Sequence, residues 1–259
     1  MEDTRGTGEA NAGGGEPDDV RELRTTADTV REALLDATLM AHGGELQRIV
    51  GSAEIGSHLA RLEPSARHTV WNMQPDLFYD PHDSSPELNE ASRSRGVETR
   101  LVTRPTTLVS NPVLSSMHPQ LRSGPVFLRA LVVDEARVLI EGLDTADGEP
   151  TAWLTDRMDF VVPVLEVWHR TFELSTPVLA PGEDPPLSRR QLQVARLLAT
   201  GEKDQSIARR LDMSARTVER DVRTILEVLG ARSRTDAVLA MSGRGGAGNR
   251  RVRGFSPSS

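Results

Sequence analysis

Apolar residues recur at the three- and four-residue spacing of one helix face through Val20, Leu23, Ala27, Val30, Ala33, Leu34 and Ala37, with charged positions between them. This predicts an amphipathic helix. A second run with helical spacing passes through Leu46, Ile49, Val50, Ile55, Leu59 and Leu62; it is expected to be interrupted near Gly51 or Gly56 and stopped by Pro64. The centre reads as mixed. Residues 68–73 (HTVWNM) and 97–102 (VETRLV) are short strand patterns, and the polar stretch 85–95 between them is long enough for a helix closed by Gly96, which together predict a βαβ unit. Residues 126–133 and 136–140 are β-rich runs joined through Asp134-Glu135, the pattern of a hairpin, and 151–156 (TAWLTD) adds a further strand. From Arg157 to Phe172 the apolar positions Val161, Val164, Leu165, Trp168 and Phe172 mark an amphipathic helix that closes an α/β unit.

The pattern breaks at 175–186 (STPVLAPGEDPP), where Pro177, Pro181, Pro185 and Pro186 disfavour both helix and sheet. This segment is expected to be a linker. Beyond it four helices follow from their caps. Ser188 with Gln191 forms a capping box for a helix through Leu192, Ala195 and Leu198 that Gly201 ends. A short second helix carries Ile207, Ala208 and Leu211, and Asp212-Met213 makes a tight turn. Ser214 caps a third helix with Val218, Val222, Ile225 and Leu229 on its inner face and Gly230 at its end, and Ser233 with Asp236 caps a fourth. A short helix and a long, basic one joined by a tight turn are the helix-turn-helix arrangement, whose second helix enters the major groove of DNA. Arg216, Arg220 and Arg223 keep to one side of that helix, away from the apolar face, and arginine suits bidentate contact with guanine edges and phosphates.

Charge sharpens this division. The net charge of −7 conceals a count of 15 basic against 9 acidic residues (+6) from Glu183 onward and 16 against 29 (−13) before it. A basic segment on an acidic body fits a nucleic-acid reader joined to another module, although a solvated basic face would give the same count. The chain has no cysteine, and Lys203 is its only lysine, which excludes thiolate metal sites, a cysteine nucleophile and a lysine-bearing phosphate loop. No apolar run reaches the length of a membrane span, and the acidic, Gly-rich start lacks the apolar region of a signal peptide, so a cytoplasmic location without membrane contact is expected. The expected plan is a disordered leader over 1–17, a helical segment over 18–64, an α/β domain over 65–174, the linker over 175–186, a helical DNA-binding domain over 187–243 and a disordered basic tail over 244–259, which is either merely solvated or an auxiliary phosphate-binding arm.

The stretch LSRRQLQVARLLATGEKDQSIARRLDMSARTVERDVRTILEVLGARSRTDAV resembles the LuxR-type helix-turn-helix domain of bacterial transcription regulators. The resemblance rests on the opening L-S, V-x-R-L-L-A-x-G, I-A-R-R-L, S-x-R-T-V, I-L-x-x-L-G and A-R-S-R-T-D-A. It implies a four-helix domain that binds double-stranded DNA as a homodimer, pairs through the fourth helix and recruits or obstructs RNA polymerase, with the helix-turn-helix at about 203–222. Carried over, Glu219, Arg220 and Arg223 take the base-facing positions, Arg216 and Thr217 the phosphate at the helix start, and Lys203 and Gln205 join the DNA-binding set. The chain departs from the family at Glu219 and Val228, where lysine is usual, at Asp221, where histidine is frequent, and at Asp212, where glycine is. The acidic departures oppose phosphate attraction; Glu219 either accepts from a cytosine amino group or pairs with Arg223 four residues on.

Residues 46–172 resemble phospholipase D-like and TrmB-type sensor domains, on ARHTVWNMQPD, R-G-V-x-x-R-L-V and V-V-D-E-A-R-V-L-I. The HxKxxxxD pattern of the phospholipases is absent, so that hydrolysis is excluded. The resemblances together imply an α/β (or α+β) sensor-like domain, taking a small-molecule or protein effector, joined to an all-α four-helix LuxR-type domain. The chain is expected not to be an enzyme and to use no cofactor or metal. His68, His82 and His118, near Asp76, Asp80 and Asp83, match no ligand spacing and read as surface histidines. Trp71, Trp153 and Trp168 read as core, the alternative being a pocket shared with Met73, Phe78 and Tyr79. Two other readings stay open: an enzyme with a docking helical domain, and a protein-interaction factor whose acidic changes weaken DNA binding.

Overall fold

The computed structural model describes residues 16–40, 46–83 and 85–243. Most of the predicted leader and the whole predicted tail, with its arginines, lie outside the described residues.

The first unit is an eight-stranded mixed sheet with helices on both faces. Its elements run α1 (Asp18–Met40), β1 (Leu46–Val50), α2 (Ser52–Ser65), β2 (Thr69–Gln74), α3 (Ser85–Ser94), β3 (Glu98–Thr103), α4 (Pro105–Ser110), α5 (Leu114–Met117), β4 (Arg122–Ser123), β5 (Ala130–Val133), β6 (Arg137–Glu141), β7 (Thr151–Thr155), α6 (Met158–Glu173) and β8 (Thr176–Pro177). The strand order is β1-β7-β6-β5-β2-β3-β4-β8. Strand alternation divides the apolar residues between two cores: Ala130 and Val132 of β5 meet α1 and α6, while Leu131 and Val133 meet α2. On the first face Leu23, Ala27 and Val30 of α1 close over Trp71, Trp168 and Ile140. All three tryptophans are buried, and the rings of Trp71 and Trp168 stack at 5.5 Å.

The βαβ unit is present: β2 and β3 pair in parallel across α3, and Gly96 takes φ +82 where that helix ends. The hairpin is present too, with β5 pairing antiparallel to β6. The connection is the three residues Asp134, Glu135 and Ala136; Asp134 and Glu135 are both left-handed (φ +52 and +54), and the Ala136 amide donates to the Val133 carbonyl to close the turn. Asp134 is held there by its own carboxylate, which accepts the amides of His68 and Thr69 at 2.7 and 3.0 Å and that of Arg67 at 3.0 Å. Burial works against ionisation, but these bonds outweigh it and hold the carboxyl below its ordinary range.

Two expectations are corrected. Residues 46–50 are a strand, β1, antiparallel to β7, and not the start of a helix. Leu46 and Ile49 are three apart, which fits one face of a helix but opposite faces of a strand, and each of the two cores takes one of them. Gly51 (φ +90) turns the chain into α2, which runs through Gly56 and one residue past Pro64. The linker is also less free than its prolines imply. Thr176-Pro177 adds an edge strand to β4, at the sheet edge where proline is tolerated.

The second unit comprises α7 (Arg189–Ala199), α8 (Asp204–Arg210), α9 (Ala215–Leu229) and α10 (Arg234–Met241). The caps are those the sequence predicts. Ser188 and Gln191 form the capping box, Ser214 accepts the Thr217 amide, Ser233 accepts that of Asp236, and Gly230 is left-handed at φ +60. Val194, Leu198, Ile207, Val218, Ile225 and Ala237 fill its core, which also takes in Val113 and Met117 from the first unit. Among the described residues no helix is long and apolar enough to cross a membrane.

Candidate nucleic-acid interface

The turn from α8 into α9 is made by Asp212 at φ +51, a conformation that aspartate tolerates better than most residues. Ser214 then fixes the first turn of α9: its hydroxyl accepts the Thr217 amide at 3.1 Å and meets the Thr217 hydroxyl at 2.8 Å. Val218, Val222, Ile225 and Leu229 point into the core, so the remaining face of α9 is open. Arg216, Glu219, Arg220 and Arg223 are exposed on it, and Thr217 is half-buried by its cap. Lys203 and Gln205 are exposed at the start of α8, beside a hollow of about 310 Å³ that also touches Thr200 and Ser206. The predicted residues thus divide into a row along α9 and a pair at the start of α8, a helix that packs against α9.

The charges on this surface are not equivalent. Among the described residues Arg216 and Arg220 have no carboxylate within ion-pair distance, whereas Arg223 meets Glu219 at 3.5 Å with both side chains well exposed. Asp221 is the departure that sequence reasoning placed wrongly. It lies on the buried side of α9, 1% exposed, and Arg190 of α7 binds it in a fork at 2.8 and 3.0 Å. Its charge is consumed within the fold and does not face outward. The signal was available, since Asp221 sits three residues after Val218 and four before Ile225, on the apolar stripe itself. Two further arginines serve the fold: Arg234 is bonded to Asp204 and to the Glu202 carbonyl at 2.8 Å, and Arg210 is paired with Glu202 at 2.7 Å.

Residues 185–241 match the family model described as bacterial regulatory proteins, luxR family. The C-terminal unit is a luxR-family domain. The match covers the luxR-type unit and not the sheet. No curated protein matches the chain. Among solved structures, the archaeal chromatin protein TrmBL2 is similar at 16% identity and TM-score 0.44, over 61% of this chain and 65% of that one. This chain therefore spans just under two thirds of TrmBL2. Nuc of Salmonella typhimurium, a phospholipase D family member, is similar at 15% identity and TM-score 0.41, over 51% of this chain and 97% of that one. VqmA of Vibrio cholerae, solved with ligand and DNA, is similar at 24% identity and TM-score 0.23, over 46% and 53%.

Among the described residues no group of three or more His, Asp and Glu side chains is placed to hold a metal ion. His118, read from sequence as a surface histidine, is buried. The alternative pocket drawn from Met73, Phe78 and Tyr79 does not form: Met73 is inside the sheet core, Phe78 is 75% exposed, and Tyr79 packs against the helical core.

Proposed function

We propose that the chain is a sequence-specific DNA-binding transcription regulator in which α9 enters the major groove and the sheet unit governs its action. One observation carries the reading: a luxR-family domain whose long helix keeps an arginine-bearing face open while its acidic Asp221 is turned inward and neutralised. Arg220 and Arg223, with Glu219, take the base-edge role; Arg216 and Thr217 take the phosphate at the helix start; Lys203 and Gln205 steady the contact from α8. The domain acts as a homodimer on two half-sites, in the cytoplasm, touching RNA polymerase from the bound operator. The boundary between the two units falls in 175–186.

Control by the first unit has a physical route. Arg196 of α7 binds Glu87 of α3 and the Asp83 carbonyl at 2.8 Å, Arg189 pairs with Glu90 at 2.8 Å, and the Leu187 amide donates to Ser116 at 3.0 Å. A change in the sheet unit therefore reaches α7, the helix that holds Asp221 of α9. Selection of bound sequences from random DNA by the full-length protein tests the reading. An enriched motif with an affinity that falls steeply with salt is the expected result. Absence of any enrichment from the folded protein sinks it, and leaves the protein-interaction factor in its place.

A further inference from the structure

A second cleft lies in the first unit beside β3, β4 and the segment that leads into the helical unit. It has a volume of about 400 Å³, and its walls include Arg100, Leu121, Arg122 and Phe172 on one side and the segment 177–183 on the other. Thr99 and Arg100 of β3 line it; among the described residues β4 pairs only with Val102 and Thr103, so the outer edge of the first four residues of β3 has no neighbouring strand.

Two guanidinium groups are fixed on one aromatic ring here. Arg100 and Arg122 each lie 4.4 Å from the centre of the Phe172 ring. Arg122 has no carboxylate partner among the described residues; its Nε donates to the Ser175 hydroxyl at 2.8 Å and its Nη2 to the Ser175 carbonyl, both neutral acceptors. Its charge is thus held in place and left uncompensated. Ser175 is buried, and the chain is packed closely beside it: a Cβ on Gly124, just after β4, would fall 2.8 Å from the Ser175 Cβ, just before β8. Arg100 is ion-paired with Glu98 on the same strand, so of the two guanidinium groups Arg122 carries the uncompensated charge. One acidic lining residue, Glu183, is turned to its own loop, where it accepts the Ala180 amide at 2.9 Å.

We propose that this cleft is a binding site for a small organic carboxylate with an apolar body. The pre-positioned Arg122 guanidinium, whose Nη1 makes no hydrogen bond among the described residues, supplies donors that a carboxylate accepts, with Arg100 on the same ring adding positive charge, and Phe172, Leu121 and Pro177 supply apolar walls for the rest of the molecule. The volume lies in the range of small-ligand pockets. A regulatory consequence, since the far wall is the segment leading into the luxR-type unit, rests on the function proposed above; the binding itself does not.

Calorimetric titration of the full chain with phenylacetate and with hexanoate, in the absence of DNA, is the test. Saturable binding of at least one of them is expected, with inorganic phosphate at least tenfold weaker because it has no apolar body. Arg122→Ala should weaken binding at least tenfold, and Ala180→Trp, on the exposed far wall, should do the same by filling the cleft even if the arginine variant fails to fold. No heat of binding from either acid at millimolar concentration, phosphate bound as tightly as the acids, or unchanged binding in the tryptophan variant would each overturn the proposal. Since no DNA is present, failure here is separate from failure of the DNA-binding reading.

Discussion

At the scale of single residues, the Arg190–Asp221 fork and the Glu63 carboxyl give opposite lessons about buried charge. Asp221 is buried and paired, whereas the side chain of Arg190 is 49% exposed. Removing each partner should therefore have unequal effects. Arg190→Ala leaves a buried carboxylate with no partner and should cost about 3 kcal/mol, while Asp221→Asn leaves an arginine that water can solvate and should cost about 1 kcal/mol. Urea unfolding of both variants checks this, and equal losses would contradict the burial argument. Glu63 is a buried acid on α2: burial pushes its carboxyl up to about 7, against the opposing pull of Arg95 and a hydrogen bond to Ser92. One of its oxygens, Oε1, has no hydrogen-bond partner. Because the folded value lies above the unfolded value of 4.5, the unfolded chain ionises first and stability is lost as pH rises from 4.5 to about 7. Glu63→Gln should be close to neutral near pH 4.5 and more stable than the parent by about 2 kcal/mol at pH 8. Thermal unfolding at the two pH values reads the difference.

At the scale of elements, α9 divides its arginines by position along the helix. Arg216 stands in the first turn and Arg220 one turn further in; in the proposed DNA-binding role the first would meet phosphate and the second base edges. Arg220→Ala should relax specificity at one base position by about 1 to 3 kcal/mol, whereas Arg216→Ala should weaken binding uniformly and flatten its salt dependence. Competition binding against single-base operator variants separates the two; an identical, sequence-independent loss in both would remove the assignment. The elements of this unit were legible because their signals are local. Ser188, Ser214, Ser233, Asp212 and Gly230 each bond or bend within a few residues of themselves. β1 was not legible, since the spacing of Leu46 and Ile49 fits a helix face as well as the two sides of a strand and its partner β7 lies a hundred residues away. The same holds for β8, whose pairing with β4 no local pattern announces. Asp221 stood on a readable stripe, but its partner on α7 lies 31 positions away in sequence.

At the scale of the whole molecule, the two units share a junction built from residues that the sequence keeps far apart. Val113 and Met117 enter the helical core, and Arg196 crosses to Glu87. His118 is buried directly after Met117, with the charges of Asp83, Glu87, Arg93 and Arg196 acting on its ring. Burial dominates and lowers its pKa to about 4, the carboxylates of Asp83 and Glu87 opposing it only in part. The folded value lies below the ordinary 6.5, so the stability that His118 contributes is complete above 6.5 and is lost as pH falls toward 4, because the unfolded chain takes up the proton first. Other groups lose stability in the same direction: Asp134 and Glu87 both have lowered pKa values, so the wild-type curve alone cannot isolate the histidine. The difference between the parent and His118→Gln does so. The variant should be less stable by a constant amount above pH 7, from lost packing, and the gap should narrow steadily between pH 6.5 and 4, as only the parent must keep an imidazole uncharged. Hydrogen exchange across the same range should show α5 and the start of α7 losing protection before the central strands, since those segments meet at this junction. A gap that stays constant with pH would mean that the buried imidazole is not what makes the junction acid-sensitive.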